Sequence, residues 1–280
     1  MVCGLKDMFA KELFKDKIAL VTGGRSGIGY AIAQMMLELG AKVMIASRKE
    51  DLLKQAAEEL GKYGECHYKA CDIRESDQRK ALMEQIKETF GRLDILVNNA
   101  GGQFPAPAEG ISENGWNTVI NNNLNGTFHM SSLMGRNFFI PQKEGTIINI
   151  IANIYRGFPS MVHTGAARAG VDNLTKTLAV EWGDFNVRVN AIAPGTIQSS
   201  GLDTYPKPVQ DLLGEARDAV PLKRFGTVEE VAHATCFLAS PLAAYITGVT
   251  LYVDGAQHLN SGDTMKLTRI MRAFTKMKKD

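Results

Sequence analysis

Glycine residues are concentrated in the segment TGGRSGIG, at positions 22–29. Glycines after a strand permit a tight turn and let the backbone approach a pyrophosphate, which the N-terminus of the following helix stabilises. Because this segment lies between an apolar, strand-like run and a helical pattern, it indicates dinucleotide binding rather than a plain turn. The predicted cofactor-binding residues of this loop are Gly23, Arg25, Ser26, Gly27, Ile28 and Gly29.

The residues after the second predicted strand bear on the choice of dinucleotide. This strand ends at Ser47, Arg48 and Lys49, without the acidic residue that would hold the ribose hydroxyls of NAD. Ser47 and Arg48, with Arg25 from the glycine loop, suit a ribose 2′-phosphate instead. We therefore expect NADP(H) as the cofactor, with NADPH as the form used. The alternative is that Arg48 and Lys49 only begin a solvated helix.

Strand and helix patterns alternate along the whole chain. Such alternation is needed to hold the glycine loop between a strand and a helix. Strands are predicted at 17–22, 42–46, 65–71, 94–97, 146–151, 188–193 and 250–253. Helices are predicted at 28–39, 51–60, 76–90, 116–139 (ended by Pro141), 165–183 and 228–239. This order indicates an α/β fold, a single-domain Rossmann-like doubly wound parallel sheet of about seven strands with helices on both faces. We divide the chain into an N-terminal extension (1–16), an NADP-binding domain with an integral substrate site (17–262) and a basic C-terminal tail (263–280).

Composition narrows the class of protein. The chain has 280 residues, of which 45% are hydrophobic and 22% charged, with a net charge of +2. These proportions exclude a disordered or coiled-coil chain, and no apolar run reaches the roughly 18 residues of a membrane helix. Six Lys/Arg and two Asp give residues 263–280 a surplus of +4, which leaves the rest at −2 and argues against nucleic-acid binding. The opening residues show no secretory signal, and the four cysteines lack metal-ligand spacing. We expect reduced thiols, no metal site and a cytoplasmic location.

The motifs TGGRSGIG (22–29), NNAGG (98–102), NLNGTF (123–128) and APG (193–195) together resemble the short-chain dehydrogenase/reductase family. They occur in that family's order and spacing, and the resemblance covers about residues 17–255. It implies that Asp72 and Ile73 border the adenine, and that Asn123 lies in the active-site helix. It also implies two further groups of cofactor-binding residues, one in the cleft and one beside the nicotinamide: Asn98, Asn99, Ala100 and Gly101, then Pro194, Gly195 and Ile197.

The sequence departs from the family at the usual catalytic residues. The family site adds a serine, and a tyrosine followed four residues later by a lysine that lowers the pKa of the tyrosine. The corresponding positions here hold Ala152 (or Ile151 if the register slips by one), Thr164 and Arg168. A threonine hydroxyl is a far poorer acid than a phenol, and an arginine gives up no proton. Ordinary alcohol–ketone chemistry is therefore disfavoured.

One subgroup of the family departs in the same way. The stretches NNAGGQFPAPAE (98–109) and VHTGAARAGVDNLTKTLAVEW (162–182) resemble the trans-2-enoyl-CoA and 2,4-dienoyl-CoA reductases, and the peroxisomal-type trans-2-enoyl-CoA reductases most of all. The resemblance implies addition of hydride to a carbon–carbon double bond that is conjugated with a thioester. Such chemistry needs a positive field at the thioester oxygen, which Arg168 and Asn123 could help to supply if they point into the cleft.

Three residues are candidates for proton donation or substrate binding. Tyr155 follows the fifth strand in a loop that opens onto the carboxyl ends of the strands. Related dienoyl-CoA reductases carry the proposed active-site tyrosine in this loop. The loop is two residues shorter in this sequence. His163 titrates in a suitable range. The alternative for Tyr155 is an anchor of its loop, and for His163 a structural role. Thr164 is interpreted as a hydrogen-bonding group to the ribose or the thioester.

Three segments complete the predicted site. Residues 103–108 and 201–214 are candidate substrate walls, and the second is expected to be a mobile lid that carries Tyr205, Pro206 and Pro208. The tail 265–279 places apolar residues on one helical face opposite Lys and Arg, and its charges could meet CoA phosphates. The alternative is a solvated basic helix. Because the sequence ends in Lys-Lys-Asp, we expect no C-terminal peroxisomal address.

These observations predict an NADPH-dependent reductase of the double bond of a fatty acyl-CoA, with trans-2-enoyl-CoA as the first expected substrate. The alternatives are a 2,4-dienoyl-CoA reductase, an atypical 3-oxoacyl or carbonyl reductase that uses Thr164 and Arg168, and a non-catalytic NADP-binding protein. The predicted helices 116–139 and 165–183 resemble those that build the family's dimer contacts, so a homotetramer is expected. Besides itself and an acyl-CoA substrate, we expect no nucleic-acid partner and no integral membrane segment.

Overall fold

Seven strands, most of them apolar and buried, form in the computed structural model, which describes residues 12–198 and 217–260. The strands are β1 (Ile18–Thr22), β2 (Lys42–Ser47), β3 (Cys66–Ala70), β4 (Ile95–Asn98), β5 (Gly145–Ile150), β6 (Val187–Pro194) and β7 (Thr250–Val253). Strands β1, β4 and β5 are buried at every residue, because helices cover both faces of the sheet.

All seven strands belong to one parallel sheet in the order β3-β2-β1-β4-β5-β6-β7. Val21 on β1 pairs with Ile45 on β2 and with Val97 on β4. The strand order reverses between β1 and β4, and open α/β sheets bind ligands in the crevice at the carboxyl ends of the strands at such a point. The predicted single-domain fold is confirmed.

Helices pack on both faces of the sheet. They are α1 (Gly27–Glu38), α2 (Glu50–Leu60), α3 (Ser76–Phe90), α4 (Glu113–Ile120), α5 (Gly126–Met134), α6 (Ile140–Gln142), α7 (Val162–Glu181) and α8 (Val228–Ala239). One hydrophobic core joins the sheet to α1, α2 and α8, and a second joins it to α3, α5 and α7. None of the helices in the described part of the chain is long and apolar enough to cross a membrane.

The prediction of one regular helix at 116–139 is wrong in detail. Helices α4, α5 and α6 follow one another through two π-helical turns, Asn121–Asn125 and Gly135–Phe139. Pro141 does not end the helix at 139, because a new α-helical segment begins at Ile140 and a proline is tolerated in a first turn. The first π turn carries Asn123, and π turns inside helices are frequent at functional sites.

Candidate active site

The glycine loop has the geometry of a phosphate cradle. Gly23 and Gly27 adopt positive φ angles of 68° and 58°, a region that favours glycine. A β-carbon on Gly29 would lie 2.5 Å from the carbonyl oxygen of Gly23, so the loop closes tightly only with glycine there. Ser26 precedes α1, but its side chain caps no amide of the helix. The first N–H groups of α1 thus have no side-chain cap and suit a phosphate ligand.

A cavity of about 210 Å³ extends from this loop along the carboxyl ends of β1, β2 and β4. Its lining includes most of the residues predicted to bind the cofactor: Gly23, Arg25, Ser26, Ser47, Arg48, Asp72, Ile73, Asn99, Ala100 and Gly101. Cys71 and Asn122 also line it and were not predicted. The residues present therefore fit a dinucleotide. No group of ligating side chains that could hold a metal ion is found among the described residues.

The adenine end of the cavity carries both signs of charge. Arg74 forms an ion pair with Asp72 at 2.5 Å, and its hydrogen bonds hold the pKa of Asp72 below its usual value. Within residues 12–198 and 217–260, Arg25 and Arg48 form no ion pair. Burial raises the pKa of the neighbouring Cys71 thiol to about 11, which keeps it protonated.

The ends of β1 and β4 are joined by side-chain hydrogen bonds. The Thr22 hydroxyl accepts from the backbone N–H groups of Asn99 and Ala100, both at 3.0 Å. Asn99 donates through Nδ2 to the carbonyl oxygen of Thr22 at 3.0 Å. Asn98 is buried instead, and its Nδ2 donates to Ser131 and Asn149 at 2.9 Å each. The structure thus places Asn98 behind the cleft, as a link between β4, β5 and α5.

Asn123 is fully engaged with the backbone. Its Nδ2 donates to the carbonyl oxygens of Gly102 at 2.7 Å and Val119 at 3.0 Å, and its Oδ1 accepts from the N–H of Gly102 at 3.2 Å. The side chain of Asn123 therefore holds the segment that follows β4 in place. In this arrangement Asn123 positions the segment that borders the cleft. Among the described residues, its one remaining hydrogen-bonding capacity is the second lone pair of Oδ1.

Arg168 is the most unusual charged residue of the site. Arg168 projects from α7 to the segment after β4, where its guanidinium lies against Gly101. The residue is buried, and Nη1 has no hydrogen-bond partner in the described part of the chain. Desolvation lowers the pKa of Arg168 to about 10, which still leaves it charged at neutral pH. An unpaired buried cation beside the cofactor cavity calls for an anion or a developing negative charge.

Thr164 and His163 stand at the start of α7, and both are buried. Nδ1 of His163 accepts from the backbone N–H of Thr164 at 2.8 Å, so the proton of the neutral ring lies on Nε2. This Nε2 has no partner among the described residues. The ring packs edge-to-face against Phe104, with centroids 4.6 Å apart. His163 is thus sealed behind the predicted substrate wall 103–108, which is tied to the next loop by the hydrogen bond from Ala106 to Ser160.

Tyr155 lies in the loop after β5 and is 61% exposed. It contacts an aromatic pair that sequence reasoning missed, Tyr252 at 6.1 Å and His258 at 5.5 Å between ring centroids. The imidazole of His258 is hydrogen-bonded to Asp254. Only the motif following β7, in which an acid precedes a histidine by four residues, could have signalled this pair.

The segment after β6 is held against the segment after β7. Thr196 donates its backbone N–H to Oε1 of Gln257 at 3.1 Å, and a β-carbon on Gly195 would lie 2.6 Å from the Cβ of Asp254. Pro194 ends β6 and accepts a hydrogen bond from the N–H of Asn153, while Ile197 pairs with Gly226. These contacts bring the predicted nicotinamide-side residues next to Asp254. The predicted lid 201–214 and tail 265–279 lie outside the described residues, as does most of the extension 1–16.

Comparison with known proteins agrees with this geometry. A family profile described as "Enoyl-(Acyl carrier protein) reductase" matches residues 23–258. A peroxisomal 2,4-dienoyl-CoA reductase [(3E)-enoyl-CoA-producing] of Pongo abelii is 40% identical, covering 93% of this chain and 90% of its own. A probable 2,4-dienoyl-CoA reductase [(2E)-enoyl-CoA-producing] of Bacillus subtilis is 39% identical, covering 88% and 98%. The solved structure of a citronellol catabolism dehydrogenase (AtuB) of Pseudomonas aeruginosa superposes with a TM-score of 0.80 at 41% identity, covering 90% and 98%.

The chain therefore belongs to the short-chain dehydrogenase/reductase family, and it is an oxidoreductase with a site for a nicotinamide dinucleotide. Within that family it belongs to the subgroup of the 2,4-dienoyl-CoA reductases, which act on CH–CH bonds. The roles of the individual site residues stay predictions.

Proposed function

We propose that this protein uses NADPH to reduce a carbon–carbon double bond of a fatty acyl-CoA thioester. The observation that carries the proposal is the buried guanidinium of Arg168, which has no acidic partner in the described part of the chain and lies against Gly101 at the cofactor cavity. A fixed positive charge stabilises the negative charge that develops on a thioester oxygen when hydride adds to a conjugated chain. It supplies no proton to an alkoxide, which carbonyl reduction needs.

The substrate we now place first is a 2,4-dienoyl-CoA, ahead of the trans-2-enoyl-CoA expected from sequence. Curated relatives from Pongo abelii and Bacillus subtilis both bear the name 2,4-dienoyl-CoA reductase. The names of these two relatives differ in the product, a (3E)-enoyl-CoA in one and a (2E)-enoyl-CoA in the other. The two products differ in which carbon receives the proton, so the proton donor determines the outcome.

The chain's own residues divide the remaining work. A bound nicotinamide supplies the hydride. Arg168 holds the positive charge near the thioester, and Asn123 keeps Gly102 in register through two hydrogen bonds. The hydroxyl of Tyr155, exposed at the carboxyl end of the sheet, gives its proton to the acyl carbon. Phe104 supports an apolar wall for the chain, packed on His163.

NADPH rather than NADH is proposed from the charges at the end of β2. Arg25, Ser47 and Arg48 line the cavity beyond the glycine loop, and neither arginine is neutralised by an ion pair with another described residue. A ribose 2′-phosphate would meet two guanidinium groups there, which bind phosphate strongly.

A homotetramer is proposed on the surface of the two long helical segments. Trp116 on α4, Phe128 on α5 and Val180 on α7 leave large apolar surfaces exposed, Val180 to 83%. Apolar side chains on neighbouring helices suit burial against a second copy. Light scattering tests this proposal, and a monomer would refute it. The cytoplasmic location also stays a prediction.

The experiment that tests the function follows NADPH absorbance with separate thioesters. We expect oxidation with 2,4-hexadienoyl-CoA, slower oxidation with a trans-2-enoyl-CoA, and none with acetoacetyl-CoA. Oxidation with acetoacetyl-CoA alone would overturn the proposal in favour of a carbonyl reductase. No oxidation with any thioester, while NADPH binding is detected by fluorescence, would favour a non-catalytic NADP-binding protein.

A further inference from the structure

A buried carboxylate lies at the end of the sheet, outside the residues that the family resemblance assigns. Asp254 follows β7, and its side chain is 2% exposed. Oδ1 accepts from the N–H of Ala256 at 3.0 Å, and Oδ2 accepts from Nδ2 of Asn153 at 3.0 Å. Oδ2 also accepts from the backbone N–H of His258 at 2.7 Å and contacts its Nδ1 at 2.8 Å. The carboxylate is therefore fixed, and two of its bonds fix one histidine.

The orientation of the His258 ring follows from these contacts. A carboxylate only accepts, so Nδ1 of His258 carries a proton and Nε2 is the atom that exchanges protons. The ring stacks on Tyr252, with centroids 4.2 Å apart and an interplanar angle of 19°. Among the described residues Nε2 has no hydrogen-bond partner and is not sealed from solvent. An imidazole held on one side by a buried acid, with its other nitrogen free, has the arrangement of a proton-transfer group.

His258 borders a cavity on one side and Tyr155 on the other. The cavity has a volume of about 390 Å³, which is room for several water molecules, and its other lining residues include Asn153, Arg156 and Gln257. On the other side the ring of Tyr155 meets that of His258 edge-on, with centroids 5.5 Å apart. Asp254 itself packs against Gly195 at the end of β6. His258 thus contacts both this cavity and the residue that we propose as the proton donor.

We propose that His258, oriented by Asp254, returns a proton to Tyr155 in each catalytic cycle. The step rests on the proposed function. When the Tyr155 O–H bond breaks, its proton forms the new C–H bond of the acyl chain and leaves a phenolate. The Nε2–H bond of the His258 imidazolium then breaks, its proton reaches the phenolate through a water molecule and restores the phenol, and the neutral ring takes a proton from water in the cavity. Two electrons arrive with the hydride, and proton transfer adds none.

The charged and titratable groups around His258 are compatible with this role. Asp254 is the acidic group in contact with the ring, while Arg156, from the loop after β5, directs its guanidinium to the carbonyl oxygen of Leu259 at 2.5 Å. Tyr252 and Tyr155 supply the two aromatic contacts. Asp254 acts here as a positioning residue, since its oxygens are all engaged by the protein.

The test is a double-mutant cycle with chemical rescue, followed by NADPH absorbance with 2,4-hexadienoyl-CoA. His258→Ala should lower kcat about 10- to 100-fold with little change in KM, and added imidazole should restore most of it. Tyr155→Phe should lose more activity without rescue. The double variant should be no slower than Tyr155→Phe, because His258 acts only through that hydroxyl. His67→Ala, on β3 and remote from this cavity, is the matched control and should keep wild-type kcat.

The outcomes separate the inference from the function. If the wild-type protein fails to oxidise NADPH with any of the thioesters, both proposals are overturned. If the wild type is active and His258→Ala is unaffected, or if its loss multiplies with that of Tyr155→Phe, the proton return is overturned and the function stands. A loss in His258→Ala that imidazole does not restore, with unchanged melting temperature and NADPH affinity, also overturns it.

Discussion

The guanidinium of Arg168 packs directly against Gly101, so the segment after β4 and helix α7 meet without room for a β-carbon. A methyl group on Gly101 would also lie 2.6 Å from Oδ1 of Asn123. Gly101 in turn lines the cofactor cavity. One small residue thus lets the buried cation, the π turn that carries Asn123 and the cofactor cavity adjoin one another.

Gly101→Ala should therefore damage the site more than the fold. The new methyl group displaces Arg168 or Asn123, and we expect kcat to fall at least tenfold and the free energy of unfolding to fall by about 1–3 kcal/mol. Turnover, NADPH affinity and thermal denaturation measure the effect. Gly102→Ala is the matched control, because its β-carbon would meet only the amide end of Asn122 at 3.2 Å, a side chain that can give way. Equal effects of the two variants would contradict this account.

Arg168→Met should stabilise the protein and abolish its activity. Burial lowers the pKa of Arg168 to about 10, so its charge destabilises the folded state at all pH values below about 10, and this penalty is relieved as the pH rises above it. Methionine removes an unpaired buried charge, and we expect a gain of about 1–3 kcal/mol for the ligand-free protein at pH 7, with loss of turnover.

Arg188→Met is the control for that stability effect. Arg188 is also partly buried, but its guanidinium donates to four backbone carbonyls and to the Thr146 hydroxyl at distances of 2.7–3.4 Å. Three of these carbonyls lie at the end of α8. Its loss should destabilise the protein by about 2–4 kcal/mol. If thermal denaturation shows that both variants are destabilised alike, Arg168 has a partner that our account lacks.

The strands could be predicted from sequence to within about one residue at each end, most plainly β1, β4 and β5, where burial on both faces leaves an apolar run. The π turns could not, since NNNLN and GRNFF have no composition that separates i→i+5 from i→i+4 bonding. Asn98 and Asn99 show a third case. Asn98 is the last residue of β4 and Asn99 follows it, and of the two only Asn99 lines the cavity; the alternation of side chains along a strand could have separated them.

The site was predictable where a motif is local and not where it is assembled from distant segments. The glycine loop acts through its own backbone, and Gly23, Arg25 and Ser26 of that loop line the cavity, while their roles stay predictions. The Asp254 carboxylate depends on Asn153, 101 residues earlier, and the unpaired state of Arg168 depends on which side chains do not reach it. Neither property can be inferred from a short stretch of sequence.

Glu230→Gln should make the protein less stable at neutral pH but not in acid. Glu230 and Thr227 form a capping box at the start of α8, and Arg224 pairs with Oε1 at 2.5 Å. Hydrogen bonds from Arg224 lower the pKa of Glu230 to about 2, so its contribution is complete above about pH 4.5 and is lost as the pH falls through 2.

Because Glu230 is partly exposed, solvent screening limits the expected loss at pH 7 to about 1 kcal/mol. Denaturant unfolding at pH 7 and at pH 2 measures it, and the difference between wild type and variant should vanish at the lower pH. Glu229→Gln, next to it in the first turn of α8, should change stability little at either pH. A pH-independent difference for Glu230→Gln would mean that the charge is not the cause.

Arg48→Asp should exchange the cofactor preference. The arginine lines the cavity at the end of β2, where an aspartate would repel a 2′-phosphate and accept from ribose hydroxyls. Loss of one charge-assisted contact is worth about 1.5–3 kcal/mol, so NADPH affinity should fall about 10- to 100-fold while NADH affinity rises. Fluorescence titration of the two dinucleotides measures both. Lys49→Asp makes the same charge change one residue away, outside the lining of the cavity, and should alter neither affinity more than about twofold. An unchanged ratio in Arg48→Asp would reject Arg48 as a ligand of the 2′-phosphate.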